Sequence, residues 1–273
     1  MQRPFIILLL LCLVGCGPGT KKTVLRLAVT TSTYDSGLIE TLTEDFEKRH
    51  EVRIDVISAG TGKALALGRG GDVELVLVHS RQDEDKFMAA GHGRRREEVM
   101  FNHFCLLGPE SDPAKVRGLA PQQALQKIAV GEFPFVSRGD NSGTHRREQS
   151  LWKSAGGRKD WKRFTQTGLG QGRTLIVANE RKSYVLSDSG TYNAYRDKIK
   201  LVPLIVSDEQ LKNIYGVMVV NKKNNTNMQK QLAGQFVDFL ISQRGQTLIK
   251  EFRKNDEQLF FPLRISAQED SAK

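Results

Sequence analysis

Apolar and polar positions along the chain follow the two periods that distinguish strands from helices. Alternation predicts strands at residues 24–29 and 52–56, and a nearly unbroken apolar run at residues 73–78 predicts a strand buried on both faces. Between the first two strands, helical spacing predicts a helix that Asp35 would cap. The apolar face of that helix comprises Leu38, Leu42 and Phe46. Alternating strands and helices are typical of α/β proteins.

The same pattern continues through the rest of the chain. Helices are predicted at residues 121–128, 145–153 and 232–240, strands at 133–136, 201–206 and 215–220, and residues 174–178 begin either a strand or a helix. The apolar stretches 101–108 and 215–220 are placed to cross between two domains. We therefore expect two α/β lobes joined by two hinge segments, with a cleft between them.

These crossings set the expected domain limits. Residues 24–104 and 216–265 would form lobe 1, residues 105–215 would form lobe 2, and residues 266–273 would be a polar tail.

The N-terminal residues predict export. Arg3 precedes an apolar run at residues 5–14, which has the length of a signal sequence and is too short to span a bilayer. The run ends in Leu-Val-Gly-Cys, which resembles the bacterial lipobox. Residues 1–15 are thus expected to be a signal peptide, Cys16 the lipidated residue and residues 16–23 a tether on the bacterial cell membrane. The alternative is an ordinary signal peptide with a chance cysteine.

Composition narrows the class of function. In 273 residues, 39% are hydrophobic and 26% charged, as in a globular protein, and the net charge of +10 suits an anionic partner or a solvated surface. Aromatic residues make up 7% and no basic run is interleaved with them, so nucleic-acid binding is poorly supported. Neither a metal-binding His/Cys motif nor a nucleophile with a suitably spaced base is present. We therefore predict neither catalysis nor a cofactor. Cys105, among apolar neighbours, is expected to be a buried thiol without a disulfide.

Three loops share one chemistry. The runs at residues 30–33, 60–62 and 137–144 each place hydroxyl groups and small residues between a strand and a helix. Ligands of open α/β sheets bind at the carboxyl ends of strands, and helix N-termini offer unpaired N–H groups to anions. Arg138 adds a planar guanidinium that can bond two oxygens of a tetrahedral anion, and Asp140 is close enough in sequence to brace it. The sequence therefore predicts an anion site.

Longer runs around these loops resemble the solute-binding proteins of ABC importers of the type II periplasmic class, in particular the tungstate-binding branch. They are LRLAVTTSTYDSGLIETLTEDFEK, VISAGTGKALALGRGGDVELVLVHS, VMFN, FVSRGDNSGTHRREQSLW and VLSDSGTY. The resemblance implies a two-lobed fold that closes around tungstate and delivers it to a membrane permease. The ligands that it implies are Thr30, Thr31, Ser32, Thr61, Gly62, Arg138, Ser142, Gly143 and Thr144, with Asp140 and His79 in support.

Three positions depart from the branch. A threonine is expected at Val29, an aspartate at His103 and an arginine at Ser189. Val29 either removes a hydroxyl from the first loop or points into the core, and Ser189 removes a support of the second lobe. The departures bear on selectivity more than on function.

The protonation state of the ion distinguishes some of the candidate ligands. Tungstate is a tetrahedral dianion without a proton, which suits a site made of donors, whereas phosphate keeps a proton for part of the neutral range, as phosphoesters do near pH ~6. Molybdate and sulfate also lack the proton and stay open, and phosphate is disfavoured. An enzyme acting on a small phosphorylated or sulfated molecule is a further alternative, as is a protein whose basic surface binds acidic lipid or polymer. The expected partners are tungstate, with molybdate as an alternative, and an importer permease. The protein itself is expected to be a monomer.

Overall fold

The computed structural model describes residues 22–158, 160–206, 209–254 and 256–265. Its strands are β1 (Thr23–Thr30), β2 (Val52–Ala59), β3 (Leu75–Val78), β4 (Gly93–Pro109), β5 (Phe135–Ser137), β6 (Phe164–Gln166), β7 (Val185–Asp188), β8 (Leu201–Ile205), β9 (Lys212–Val220) and β10 (Phe261–Pro262). The predicted signal peptide and tether, up to residue 21, and the polar tail lie outside the described residues.

Ten helices in the described residues connect these strands. They are α1 (Thr31–Ser36), α2 (Leu38–Glu47), α3 (Thr61–Gly70), α4 (Arg81–Ala89), α5 (Pro121–Val130), α6 (Gly143–Ser154), α7 (Gln171–Glu180), α8 (Ser189–Tyr195), α9 (Asn227–Ile241) and α10 (Gln243–Glu251). None of these helices has the length and apolar character that crossing a bilayer requires. Most predicted elements are confirmed, and the ambiguous residues 174–178 lie within α7.

The α2 helix shows one correct and one wrong expectation. Leu38, Leu42 and Phe46 are fully buried, as their spacing predicted. Asp35 does not cap this helix, because residues 31–36 already form α1 and the cap of α2 is Gly37 in the left-handed region, at φ 89°. A glycine adopts this conformation without a steric penalty, so the chain can turn sharply between two short helices.

Strand pairing places the first two loops at one sheet edge. β1 pairs in parallel with β2 and β3, so their carboxyl ends lie side by side. β9 runs antiparallel between β3 and β4. β4 is 17 residues long, and its later residues pair with β7 and β8 instead. The eight strands of this sheet therefore continue from one half of the molecule to the other through β4.

The hydrophobic cores also divide between the two halves of the molecule. Two clusters draw on residues 25–100 and 215–260, and two others on residues 104–211. Cys105 belongs to the second group and is a buried free thiol, as expected. This is the two-lobed α/β fold that the sequence predicted. The exact lobe boundaries, 104/105 and 215/216, stay a prediction.

Candidate functional site

A cleft of about 750 Å³ contains every residue predicted for the site. The predicted ligands on its walls are Thr30, Thr31, Ser32, Thr61, Gly62, Arg138, Ser142, Gly143 and Thr144, and the supporting residues Asp140 and His79 also line it. Residues 30–62 come from one half of the molecule and residues 138–144 from the other. The structure thus brings together positions that are between 76 and 114 residues apart in the sequence. Their role as ligands stays a prediction.

The first two loops present hydroxyls at the ends of β1 and β2. Thr30 is buried, and its hydroxyl lies 2.6 Å from that of Thr33. Thr31 and Ser32 are exposed residues on the cleft wall. Thr61 opens α3 beside Gly62, where a Cβ would meet no atom within 4 Å. The space above Gly62 leaves the backbone accessible from the cleft.

The third loop holds Arg138 in a defined orientation. Its guanidinium forms an ion pair with Asp140, which also accepts a hydrogen bond from the Ser142 backbone N–H at 3.1 Å. Burial alone would raise the pKa of Asp140, but hydrogen bonds from Ser142 and the charge of Arg138 outweigh it and lower that pKa. The carboxylate is therefore ionised at neutral pH and braces the guanidinium.

Arg138 retains an unused donor. Its side chain is only 16% exposed, and the buried Nε has no hydrogen-bond partner among the described residues. Ser142 uses its hydroxyl oxygen to cap α6 by accepting from the His145 backbone N–H. A buried donor without an acceptor is costly, and an anion in the cleft would relieve that cost.

His79 lies at the end of β3 and contacts the third loop. A Cβ on Gly143 would lie 2.6 Å from the imidazole Cε1, so the two halves of the molecule approach closely here. Burial lowers the pKa of His79, and the imidazole is neutral at pH 7. The buried Nδ1 of its imidazole has no hydrogen-bond partner in the described part of the chain. The supporting role expected of His79 at the site stays a prediction.

Several lining residues were missed from sequence. A fourth strand–loop–helix segment runs from the end of β7 into α8. There Asp188 caps α8 by accepting hydrogen bonds from Thr191 N and Oγ1 at 2.8 and 2.7 Å. The motif Asp-Ser-Gly-Thr carried the same signal as the other loops. The cleft wall also includes the cationic side chains of Lys63, Arg146, Arg196 and Lys254. Arg138 is thus not the only positive charge at the cleft.

Val29, His103 and Ser189, the three departures from the family pattern, are not among the residues that line the cleft. Val29 is fully buried in the core, so a hydroxyl there would point away from the ligand loops. His103 packs against the rings of Phe101 and Phe261. Ser189 begins α8 next to the lining residue Asp188.

Metal chemistry has no support at this site. Within the described ranges, no group of three His, Cys, Asp or Glu side chains could hold a metal ion. The cleft instead offers hydroxyls, backbone N–H groups and a braced guanidinium, a donor set that suits an oxyanion.

Comparison with known proteins places the chain in a family. A model described as a PBP superfamily domain matches residues 18–244. The tungstate-binding protein TupA of Peptoclostridium acidaminophilum is 37% identical over 262 residues, covering 91% of this chain and 92% of that protein. The structure of the tungstate-binding protein TupA from Desulfovibrio alaskensis G20 matches with a TM-score of 0.83 at 39% identity, over 89% of this chain and all of that one.

A second solved structure agrees. The tungstate ABC transporter structure from Geobacter sulfurreducens matches with a TM-score of 0.75 at 42% identity, covering 84% of this chain and 98% of that chain. These relatives are binding and transport proteins rather than enzymes, so this chain is a binding protein without catalysis. It belongs to the PBP superfamily and, within it, to the family of the tungstate-binding proteins of ABC transporters.

Proposed function

We propose that the cleft captures tungstate and that the protein delivers it to the permease of an ABC importer. The observation that carries this proposal is the buried Nε–H of Arg138, which has no partner among the residues that the structure describes, in a cleft lined by hydroxyls from both halves of the molecule. An anion without a proton can accept from every one of these groups. The names of the relatives identify tungstate as the ion to test first.

The proposed ligands divide between the lobes. Thr30, Thr31, Ser32, Thr61 and Gly62 would bind from lobe 1, and Arg138, Ser142, Gly143 and Thr144 from lobe 2. Dehydrating a dianion is expensive unless charge and hydrogen bonds replace the lost water. The guanidinium supplies a full charge, the Asp140 brace fixes its direction, and the loops supply partial charges at the ends of α3 and α6.

Substitution of Arg138 tests the site. Hydrogen bonds to charged groups contribute roughly 1.5–3 kcal/mol each, so losing two with Arg138→Ala should weaken tungstate binding by about a hundredfold to ten-thousandfold. Arg138→Lys should bind with intermediate affinity, because it keeps the charge without the forked geometry. Calorimetric titration of each purified protein measures the change, with melting temperatures of the ligand-free proteins as a check on folding.

The control is Arg53→Ala, which removes an exposed arginine that pairs with Asp55 outside the cleft. It should bind tungstate as the unmodified protein does. Affinity of Arg138→Ala within threefold of the unmodified protein would place the site elsewhere. Parallel titrations with molybdate, sulfate and phosphate decide among the alternative anions, and a turnover screen with phosphoesters tests the enzyme alternative.

We also propose that the mature protein is a monomer anchored through lipid on Cys16, on the outer side of the cell membrane. The Leu-Val-Gly-Cys run supports the anchor, and an exported location agrees with membership in the periplasmic-binding family. Cys16→Ala should lose lipid label and lipoprotein-type cleavage. Unchanged processing and unchanged membrane retention of that variant would show that the lipobox interpretation is wrong.

A further inference from the structure

A buried side-chain amide lies at the start of α7, on the wall of the cleft. Gln171 is the first residue of that helix, is only 7% exposed and lines the cleft. Its Nε2 donates to the Leu186 carbonyl oxygen at 2.9 Å, and the reversed amide would set two oxygens against each other. Its Oε1 is buried and has no hydrogen-bond partner among the described residues. Unlike Nδ1 of His79, whose role depends on the tautomer, an amide oxygen can only accept.

The segment that leads into α7 is hydrogen-bonded to the third binding loop. The carbonyl oxygen of Arg138 accepts from the Gly168 backbone N–H at 2.7 Å and from Thr167 Oγ1 at 3.3 Å. Gly170 precedes the helix and lines the cleft, and no side chain caps the helix there. The Gln171 amide therefore belongs to the same wall of the cleft as Arg138.

The carboxylates on this wall already have donors. Asp140 pairs with Arg138 through one oxygen and accepts from the Ser142 backbone N–H through the other. The two oxygens of Asp188 accept from Thr191 N and Oγ1. The Gln171 oxygen is thus a buried acceptor that still needs a donor, and leaving such a group unsatisfied is costly.

The charge of the cleft indicates which donor can enter. Arg138, Lys63, Arg146 and Arg196 all line it, so a cationic donor is disfavoured by repulsion. A donor that arrives with a negative charge is the hydroxyl group of a protonated oxyanion. Hydrogen phosphate carries one such hydroxyl, and its other oxygens can accept from the loops as those of tungstate would.

We propose that Gln171 is a specificity-determining residue whose Oε1 accepts the proton of a protonated tetrahedral oxyanion, so that the cleft binds hydrogen phosphate as well as tungstate. This inference rests on the proposed anion-binding function. The sequence disfavours phosphate because the three loops offer donors only. Gln171 lies outside those loops and supplies the acceptor that they lack.

Two substitutions of Gln171 should change the ratio of phosphate affinity to tungstate affinity in opposite directions. Gln171→Met keeps the length of the side chain without an acceptor, so phosphate affinity should fall about tenfold, as for one net hydrogen bond, and tungstate affinity should stay within about twofold. Gln171→Glu keeps an acceptor and adds a negative charge. That charge repels tungstate, whereas with hydrogen phosphate a charge-assisted hydrogen bond offsets the repulsion, so the ratio should rise.

Calorimetric titration at pH 8 measures both affinities for each protein. At this pH hydrogen phosphate and tungstate both carry a charge of about −2, so the comparison isolates the effect of the proton. Melting temperatures of the ligand-free proteins show whether each variant is folded.

The matched control is Gln126→Met. The Nε2 of Gln126 also donates to a backbone carbonyl oxygen, that of Ala155, at 2.8 Å, but Gln126 does not line the cleft. This variant loses the same kind of hydrogen bond to the backbone as Gln171→Met does. It should keep the affinities of the unmodified protein for both phosphate and tungstate.

The outcomes separate the two proposals. If the unmodified protein binds none of the four anions, the proposed function fails and this inference fails with it. If it binds tungstate but not phosphate, or if Gln171→Met weakens both anions equally, only the role of Gln171 is wrong. Should Gln171→Met not fold, Gln171→Glu decides, and an unchanged or lower ratio of phosphate to tungstate affinity overturns the inference.

Discussion

At the scale of single residues, the carboxyl group of Glu148 is a buried titratable group behind the third binding loop. The residue is 3% exposed on α6 and accepts a hydrogen bond from Trp152 Nε1 at 3.3 Å. Burial raises its pKa to about 7, although interactions with Ser137 and Trp152 oppose the rise. The folded pKa exceeds the ordinary value of 4.5. Between pH 4.5 and pH 7, therefore, Glu148 carries a proton in the folded state that it has lost in the unfolded state.

The stability of the protein should therefore depend on this group. The stabilising contribution of protonated Glu148 is complete below pH ~4.5 and is lost as the pH rises through about 7, at a cost of about 3 kcal/mol. Glu148→Gln removes the titration, so its free energy of unfolding should fall less than that of the unmodified protein between pH 5 and pH 8. Denaturant unfolding at both pH values measures the difference.

The control for Glu148 is Glu44→Gln, on the exposed surface of α2. It should follow the pH dependence of the unmodified protein. Parallel curves for Glu148→Gln and the unmodified protein would show that Glu148 stays ionised in the folded state.

At the scale of elements, the N-terminus of α6 contacts the end of β3 across the cleft. Gly143 is not in the left-handed region, so alanine fits its backbone, but the added Cβ would lie 2.6 Å from His79 Cε1. Gly143→Ala should therefore obstruct closure and weaken tungstate binding by about tenfold, within the usual range of overpacking costs. The melting temperature without ligand should change little, because an open cleft has room for the methyl group.

Gly234→Ala on α9, where a Cβ meets no atom within 4 Å, is the matched control and should bind normally. Titration calorimetry on both variants makes the comparison. Unchanged affinity of Gly143→Ala would mean that α6 and β3 do not meet in the bound state.

At the scale of the whole molecule, two ion pairs connect the halves at the cleft mouth. Arg146 on α6 pairs with Asp83 on α4, and Arg196 pairs with Glu257 in the C-terminal segment. Together with the contact between Gly143 and His79, they describe a closed arrangement. Each pair is partly exposed, so the expected contribution is small, about 0–1 kcal/mol. The bound ion is therefore expected to supply most of the free energy that holds the lobes together.

Small-angle scattering tests this expectation. The radius of gyration should decrease when tungstate is added, because ligand groups from both lobes must converge on one ion. Arg138→Ala at the same tungstate concentration should keep the larger radius. An unchanged profile of the unmodified protein at saturation would contradict ligand-driven closure.

The local pattern of residues in the sequence was sufficient to predict the strands and helices and the type of binding site. Apolar periodicity placed the strands and helices, since the faces of an element follow from its backbone geometry. Hydroxyls and glycines at strand ends indicated anion loops, and the spacing of Arg138 and Asp140 predicted their ion pair. The position of Asp35 was misjudged because a one-glycine turn lets two short helices follow each other.

Only the tertiary structure decided which distant residues share the cleft. Asn102 and Tyr215 are 113 residues apart and meet because β4 and β9 pair. The cationic rim at Arg146 and Arg196 likewise depends on how the two halves pack. Short-range patterns report the conformation of a segment, whereas the hydrogen-bond partners of a buried amide or a phenol depend on every strand that packs around it. The sequence by itself thus determined an anion-binding α/β protein, and the packing of its two halves decided how the site is held and oriented.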